Sequence, residues 1–145
     1  MKADILKLNE DEVFELARIL DVKIDTIPDF CDMIAETYSL SYCLVTFAEY
    51  GAYGCSENGG KVYVPGYDID PIDSLGSGDA FSAGFIHTIL CGATMKEACM
   101  SGNVLGALVA TQKGATSPVT ADDIENMKMM DHDRKICKEL EKYII

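Results

Sequence analysis

Short apolar runs alternate along this chain with segments whose apolar residues recur at helical spacing. Residues 3–8 (Ala-Asp-Ile-Leu-Lys-Leu) read as a short strand. From Asn9 the apolar positions become Val13, Leu16, Ala17 and Leu20, one face of a helix that runs to about Leu20. Pro28, suited to a first helical turn, opens a second helix to about Ser39, with Ile27, Cys31, Ile34, Ala35 and Tyr38 turned inward. Tyr42 to Phe47 is a run of mainly β-favouring residues and predicts a central strand. Gly51, Gly54 and Asn58-Gly59-Gly60 punctuate two further short strands, the second being Lys61 to Val64. Asp68 to Asp73, acidic and containing Pro71, predicts a loop or an edge strand.

Ala80 to Leu90 is apolar on nearly every side and predicts a helix buried all round. Thr94 and Glu97 have the spacing of a capping box, so the next helix starts there and runs to about Lys113, stopping at Gly114. Gly102 and Gly106 on that helix leave room for a close neighbour, and a last helix starts after Thr120. No internal repeat or low-complexity segment interrupts the pattern. The alternation predicts an α/β layered fold with a largely parallel sheet flanked by helices. A length of 145 residues suits a single domain over residues 1–145. The strand pattern is already running at residue 3, as expected of a chain that lacks an upstream portion.

Composition narrows the function classes. Twelve Lys and Arg against 24 Asp and Glu give a formal charge of −12, so no broad positive field is available for a nucleic acid. A small phosphorylated ligand remains compatible, because backbone N–H groups and a bound cation can hold it. The six cysteines form no C-x-x-C pair and only two histidines accompany them, which argues against structural zinc. Reduced, mostly buried thiols are expected instead. Met1-Lys2-Ala3-Asp4 carries no leader pattern, and the longest apolar stretch, Val104 to Ala110, is too short to cross a bilayer. A soluble, cytoplasmic protein without a membrane partner is the expectation.

The segment richest in chemistry is Asp73-Ser74-Leu75-Gly76-Ser77-Gly78-Asp79-Ala80-Phe81. Small residues lead into an apolar helix, whose unpaired N–H groups and dipole favour a phosphate at its start. Gly76 and Gly78 keep side chains out of the way, and Asp79 in the first turn can take the proton of an attacking hydroxyl. An anion hole beside one carboxylate meets both needs of phosphoryl transfer, charge stabilisation and aim. Taken alone, Ser77 or Asp79 is more often a plain helix cap. Rival motifs fit worse. No Gly-x-x-x-x-Gly-Lys run exists, position 81 is Phe where a dinucleotide fingerprint needs Gly, and Asp68 and Asp70 run into Pro71-Ile72 rather than an EF-hand loop.

The fourteen residues from Asp73 to Ile86 resemble the second signature of the ribokinase-like (PfkB) carbohydrate kinases, with Ser74 and Ser77 as small polar departures from the usual Thr and Ala. The resemblance implies that Asp79 is the catalytic base and that Gly76, Ser77 and Gly78 form the anion hole. It implies a monovalent-cation loop at Asp73, reached partly through the turn at Gly114. Asn9-Glu10-Asp11-Glu12 is similar to the family's N-x-x-E motif, so Asn9 lies near the nucleotide phosphates and Glu12 orders magnesium, through water. The same four residues also read as a helix cap. Thr46-Phe47-Ala48-Glu49-Tyr50-Gly51 resembles the T-x-G-x-x-G nucleotide loop, with Ala48 where Gly is usual; positive φ there would cost roughly 1 kcal/mol. Asn103 matches an Asn presented beside the adenine.

By this resemblance the fold is ribokinase-like and the chain is its C-terminal portion. The sugar-binding N-terminal half, the lid and the first, Gly-Gly-containing signature are absent. The implied activity is ATP-dependent transfer to a sugar hydroxyl, with ATP and Mg2+ required, room left for K+, and a fragment that is inactive alone. Val64-Pro65-Gly66 makes fructose the first acceptor to consider. An exposed sheet edge leaves a homodimer open. A nucleotide-binding or regulatory module without turnover stays as the alternative, motivated by Ala48 and the absent half.

Overall fold

The structure, a computed structural model, describes residues 3–130 and 132–145. The expectation about a leader at Met1-Lys2 lies outside the described residues. Strand β1 (Ile5–Asn9) runs directly into helix α1 (Glu10–Ile19), with Asn9 as its cap. Asn9 Oδ1 accepts from the Glu12 amide at 2.8 Å while Glu12 Oε2 accepts from the Asn9 amide at 2.7 Å, a complete capping box. Helix α2 (Ile27–Tyr38) is capped by Thr26 and closed by Ser39 at φ +51°. Its buried face includes Phe30, whereas Tyr38, expected inside, is 47% exposed. A phenolic hydroxyl needs a partner when buried, and Phe30 does not.

Strands β2 (Tyr42–Thr46), β3 (Ala52–Ser56) and β4 (Lys61–Val64) complete a four-stranded sheet of order β1-β2-β3-β4. Only β1 and β2 are parallel; β2–β3 and β3–β4 are antiparallel. The layered α/β fold is as expected, but the sheet is mixed rather than largely parallel. Parallel neighbours need a crossover of roughly a dozen residues or more, which α1 and α2 supply; the links at residues 47–51 and 57–60 are too short for anything but hairpins. Strand β5 (Gly66–Tyr67) pairs with β6 (Arg134–Lys135) in a small second sheet that no local pattern announces.

Side chains alternate across the main sheet. Cys43, Val45 and Tyr53 face α1 and α2, packing on Val13, Phe30 and Ile34. Leu44, Ala52 and Val62 face helices α3 (Ser77–Leu90) and α4 (Met95–Ala110) on the other side, packing on Phe81, Phe85 and Cys99. Both sheet faces are buried, which is why these strands show no polar alternation.

Helix α3 begins at Ser77, three residues earlier than its apolar run, and it is not buried all round. Phe81, Gly84 and Phe85 are inside, whereas Ile86 is 44% and Leu90 80% exposed. Its inner face rests on α4, where Gly102 meets the Phe81 ring and Gly106 lies under the Ser77 carbonyl, as the small residues lead one to expect. Helix α4 ends at Ala110, short of Lys113, and the chain turns through Gly114 at φ +79°. Helix α5 (Ala121–Met129) follows its cap Thr120.

All six cysteines are free: Cys31, Cys43, Cys55 and Cys99 are buried, Cys137 is half-buried, and Cys91 is exposed at the end of α3. Burial pushes the Cys99 thiol up to about 12. Among the described residues no helix is long and apolar enough to cross a membrane.

Candidate active site

Asn9 and Thr46, the last residues of β1 and β2, are register partners, so the two motifs that contain them meet at the carboxyl ends of the parallel strands. That edge is where open α/β sheets hold ligands. Thr46 Oγ1 donates to the Leu8 carbonyl at 3.4 Å. Beyond it Ala48 takes φ +46°, the left-handed backbone that costs a residue with a Cβ about 1 kcal/mol relative to Gly. Gly51 follows at φ +91°; a Cβ on it would stand 2.1 Å from the Val64 carbonyl oxygen, and one on Gly66 would stand 2.0 Å from that of Glu49. Two backbones touch here, so the turn after β2 is clamped against the link from β4 to β5. Tyr63 fastens the clamp by donating to the Tyr50 carbonyl at 2.5 Å.

At the start of α3, Gly76 adopts φ +84° and would drive a Cβ to 2.6 Å from that of Ala115. Having no side chain, this cap leaves the first-turn amides to other partners. The Ser77 amide already donates to the Ser74 carbonyl at 3.2 Å, and Ser77 Oγ does so at 2.8 Å. The Gly78 and Asp79 amides have no hydrogen-bond acceptor among the described residues, so they are open donors at the start of α3. The Ser77 N–H, engaged by Ser74, is not such a donor. Asp79 is exposed in this first turn, within the field of the helix dipole.

A cavity of about 410 Å3 joins the two regions. Thr46, Ala48 and Gly51 line one side, Ser77 and Gly78 the α3 end, and Asn103 the floor. Six residues singled out from sequence motifs therefore share one hollow, with Gly76 and Asp79 beside it on the same helix start. Asn103 is 8% exposed, and its Nδ2 donates to the carbonyls of Val64 and Pro65 at 3.0 and 3.3 Å. That nitrogen braces the link between β4 and β5 and is not free to donate to a base; Oδ1 is what Asn103 can offer a ligand. Gly66, Tyr67 and Lys135 also line the cavity without having been foreseen. Lys135 reaches Asp68 at 3.2 Å and Glu49 at 3.7 Å, and Asp68 chiefly raises its pKa. Its arrival depends on the β5–β6 pairing of residues far apart in sequence, which leaves no local signal.

The metal expectations meet the structure as follows. Asn9 and Glu12 stand outside the cavity, and Glu12 Oε2 is engaged in the capping box, leaving Oε1 to orient water. Among the described residues no three His, Cys, Asp or Glu side chains cluster to hold a metal ion directly. Glu12 Oε1 is the carboxylate oxygen that would hold Mg2+ through water, the mode this reluctantly dehydrated cation favours. Asp73 ties two loops together: Oδ1 accepts from the Leu75 amide at 3.0 Å and Oδ2 from the Gly114 amide at 3.3 Å. In the same turn Gln112 Oε1 is buried without a hydrogen-bond partner among the described residues. An orphaned oxygen on the segment that Asp73 holds fits a monovalent cation.

Known proteins similar to this chain are kinases. The chain is 37% identical over 123 residues to an ATP-dependent ribose-1-phosphate kinase of Halopiger xanaduensis, covering 84% of this chain and 38% of that one. It is 30% identical over 138 residues to fructokinase-1 of Oryza sativa subsp. japonica, covering 90% of this chain and 40% of the relative. The chain thus spans about two fifths of the curated relatives it matches. Among solved structures, the fructokinase of Vibrio cholerae with fructose, ADP and calcium superposes with TM-score 0.72 at 29% identity, over 86% of this chain and 41% of that one. The ribokinase of Thermotoga maritima, at 22% identity, shares the fold with TM-score 0.78 over 86% of this chain and 42% of that one. Residues 1–122 match the profile described as pfkB family carbohydrate kinase, and the chain belongs to that family.

Proposed function

We propose that this chain is the nucleotide-binding and catalytic C-terminal half of an ATP-dependent carbohydrate kinase, a single domain over residues 1–145 that is inactive without its sugar-binding half. The observation that carries the reading is the meeting of one cavity with the start of α3, where the Gly78 and Asp79 amides are open and the Asp79 carboxylate is exposed. The nucleoside occupies the hollow between Thr46, Ala48, Gly51 and Asn103, with its phosphates running out across Gly78. Asp79 accepts the proton of the acceptor hydroxyl. The hydroxyl oxygen bonds to the γ-phosphorus, the bond from that phosphorus to the bridging oxygen breaks, and ADP leaves with the electron pair.

The amides of the anion hole hold the equatorial oxygens while this exchange proceeds. Glu12 would order the water around Mg2+, which would supply neutralising charge to the phosphates. Asp73 and the Gly114 turn would hold K+ at the loop that leads into α3. The acceptor is a sugar hydroxyl, and fructose is the first to try, since the Vibrio relative carries fructose and ADP together.

The test is made on the protein with its N-terminal half present. Asp79→Asn should cut sugar-stimulated ADP release by about three orders of magnitude or more while ATP affinity changes little. Turnover near wild type would remove Asp79 from the role of base. Nucleotide binding with no turnover on any sugar would replace the kinase reading with that of a binding module.

A further inference from the structure

Lys7 interrupts the apolar strand β1, between Leu6 and Leu8. Strand alternation puts it on the same face as Ile5, which packs among Leu44, Phe81 and Phe85 toward α3 and α4. Its stem is half-buried, and its Nζ lies 3.3 Å from where a Cβ on Gly78 would be. The ammonium is therefore set against the first turn of α3, beside the open Gly78 amide.

That is an unfavourable place for a cation in an empty site. The N-terminus of a helix carries partial positive charge, and a lysine there is repelled by it. Surface lysines ordinarily swing their flexible stems to water or to a carboxylate. This chain offers 24 acidic side chains to its 12 basic ones, yet Lys7 takes part in none of the ion pairs among the described residues. A positive group and open amides on the same helix turn have a common complement, an anion. Gly78 is what permits the convergence, because any side chain there would press on Nζ.

We propose that Lys7 grips the terminal phosphoryl group of the bound nucleoside triphosphate, which rests on the nucleotide reading above. Ser77 and Gly78 line the cavity whereas Lys7 stands beyond them, so its contact falls on the phosphate farthest from the base. Lys7 thereby separates a triphosphate from a diphosphate, and it draws charge off the group being transferred.

Affinities of the 145-residue chain for ATP and for ADP, each with Mg2+, provide the test. Wild type should prefer ATP. Lys7→Met, which keeps the apolar stem, should lose about tenfold in ATP affinity, as expected for one charge-assisted hydrogen bond. Its ADP affinity should stay within about twofold, because the terminal phosphate is the only group lost to it. Lys7→Arg should restore the preference for ATP. Without nucleotide, Lys7→Met should melt no lower than wild type, since the change relieves repulsion at the helix start. Equal weakening of both nucleotides, or no weakening of either, would overturn the role of Lys7 and leave the cavity as a nucleotide site. A folded wild type that binds neither nucleotide would remove both readings. If Lys7→Met does not fold, Lys7→Gln is measured in its place; failure of both would make the lysine structural and end the proposal.

Discussion

Ala48 holds a left-handed backbone at the edge of the cavity, where a glycine would sit without strain. The residue is exposed, so its methyl group contributes no core packing to set against that strain. Ala48→Gly should therefore stabilise the chain by about 1 kcal/mol, less whatever the more flexible unfolded chain recovers. In a chain of this size that is a rise in Tm of roughly 2–4 °C, readable by calorimetry. A fall in Tm would mean that the turn tolerates Ala at no cost. Gly51, three residues on, allows no such exchange. Gly51→Ala would force apart the clamp against Val64 and should destabilise by several kcal/mol, on the order of the worst single-site backbone clashes. Denaturant midpoints of the two variants should move in opposite directions.

Among the elements, three helices start with a reciprocal cap: Asn9 with Glu12, Thr94 with Glu97, and Thr120 with Asp123. The first two are legible because Glu, the usual reciprocal partner, stands three residues after the cap, whereas the third uses the shorter Asp123. In the second box the Thr94 hydroxyl and amide hold the Glu97 carboxyl below its ordinary 4.5. A depressed carboxylate stabilises the fold above the ordinary value, and that contribution disappears as the pH falls through the lowered one. Glu97→Gln should accordingly be less stable than wild type near neutrality, with the gap closing in acid. Urea unfolding of both proteins across pH 3 to 7 measures it; a gap that widens in acid would contradict the assignment.

The element least legible was α3. Its true start depends on Gly76 folding back against Ala115, a contact between residues far apart in sequence. Its burial was overstated because an apolar run with no periodicity cannot say which side faces α4. The pairing of β5 with β6 is likewise non-local, and with it went the only route to Lys135.

At the scale of the molecule, the layered arrangement and the convergence of Thr46, Gly51, Ser77, Gly78 and Asn103 on one hollow were readable in advance, while strand direction beyond β2 was decided by link length. Charge raises a separate question, since a chain of −12 is proposed to take up a polyanion. The local field of Lys7 and the α3 start attracts phosphate; the surplus of carboxylates repels it. Screening decides which one an approaching nucleotide feels. At about 0.01 M salt the Debye length is roughly 30 Å and the net charge of the whole chain is felt, whereas at 0.15 M it is about 8 Å and only groups near the cavity act. The association rate for ATP should thus rise between these concentrations, the reverse of what a basic binding surface gives. Binding Mg2+ to the nucleotide removes part of its charge and should flatten the rise. Stopped-flow measurement with and without Mg2+ separates the two fields: a rate that falls with salt in both cases would show that the few groups at the helix start outweigh the remainder of the surface even at long range.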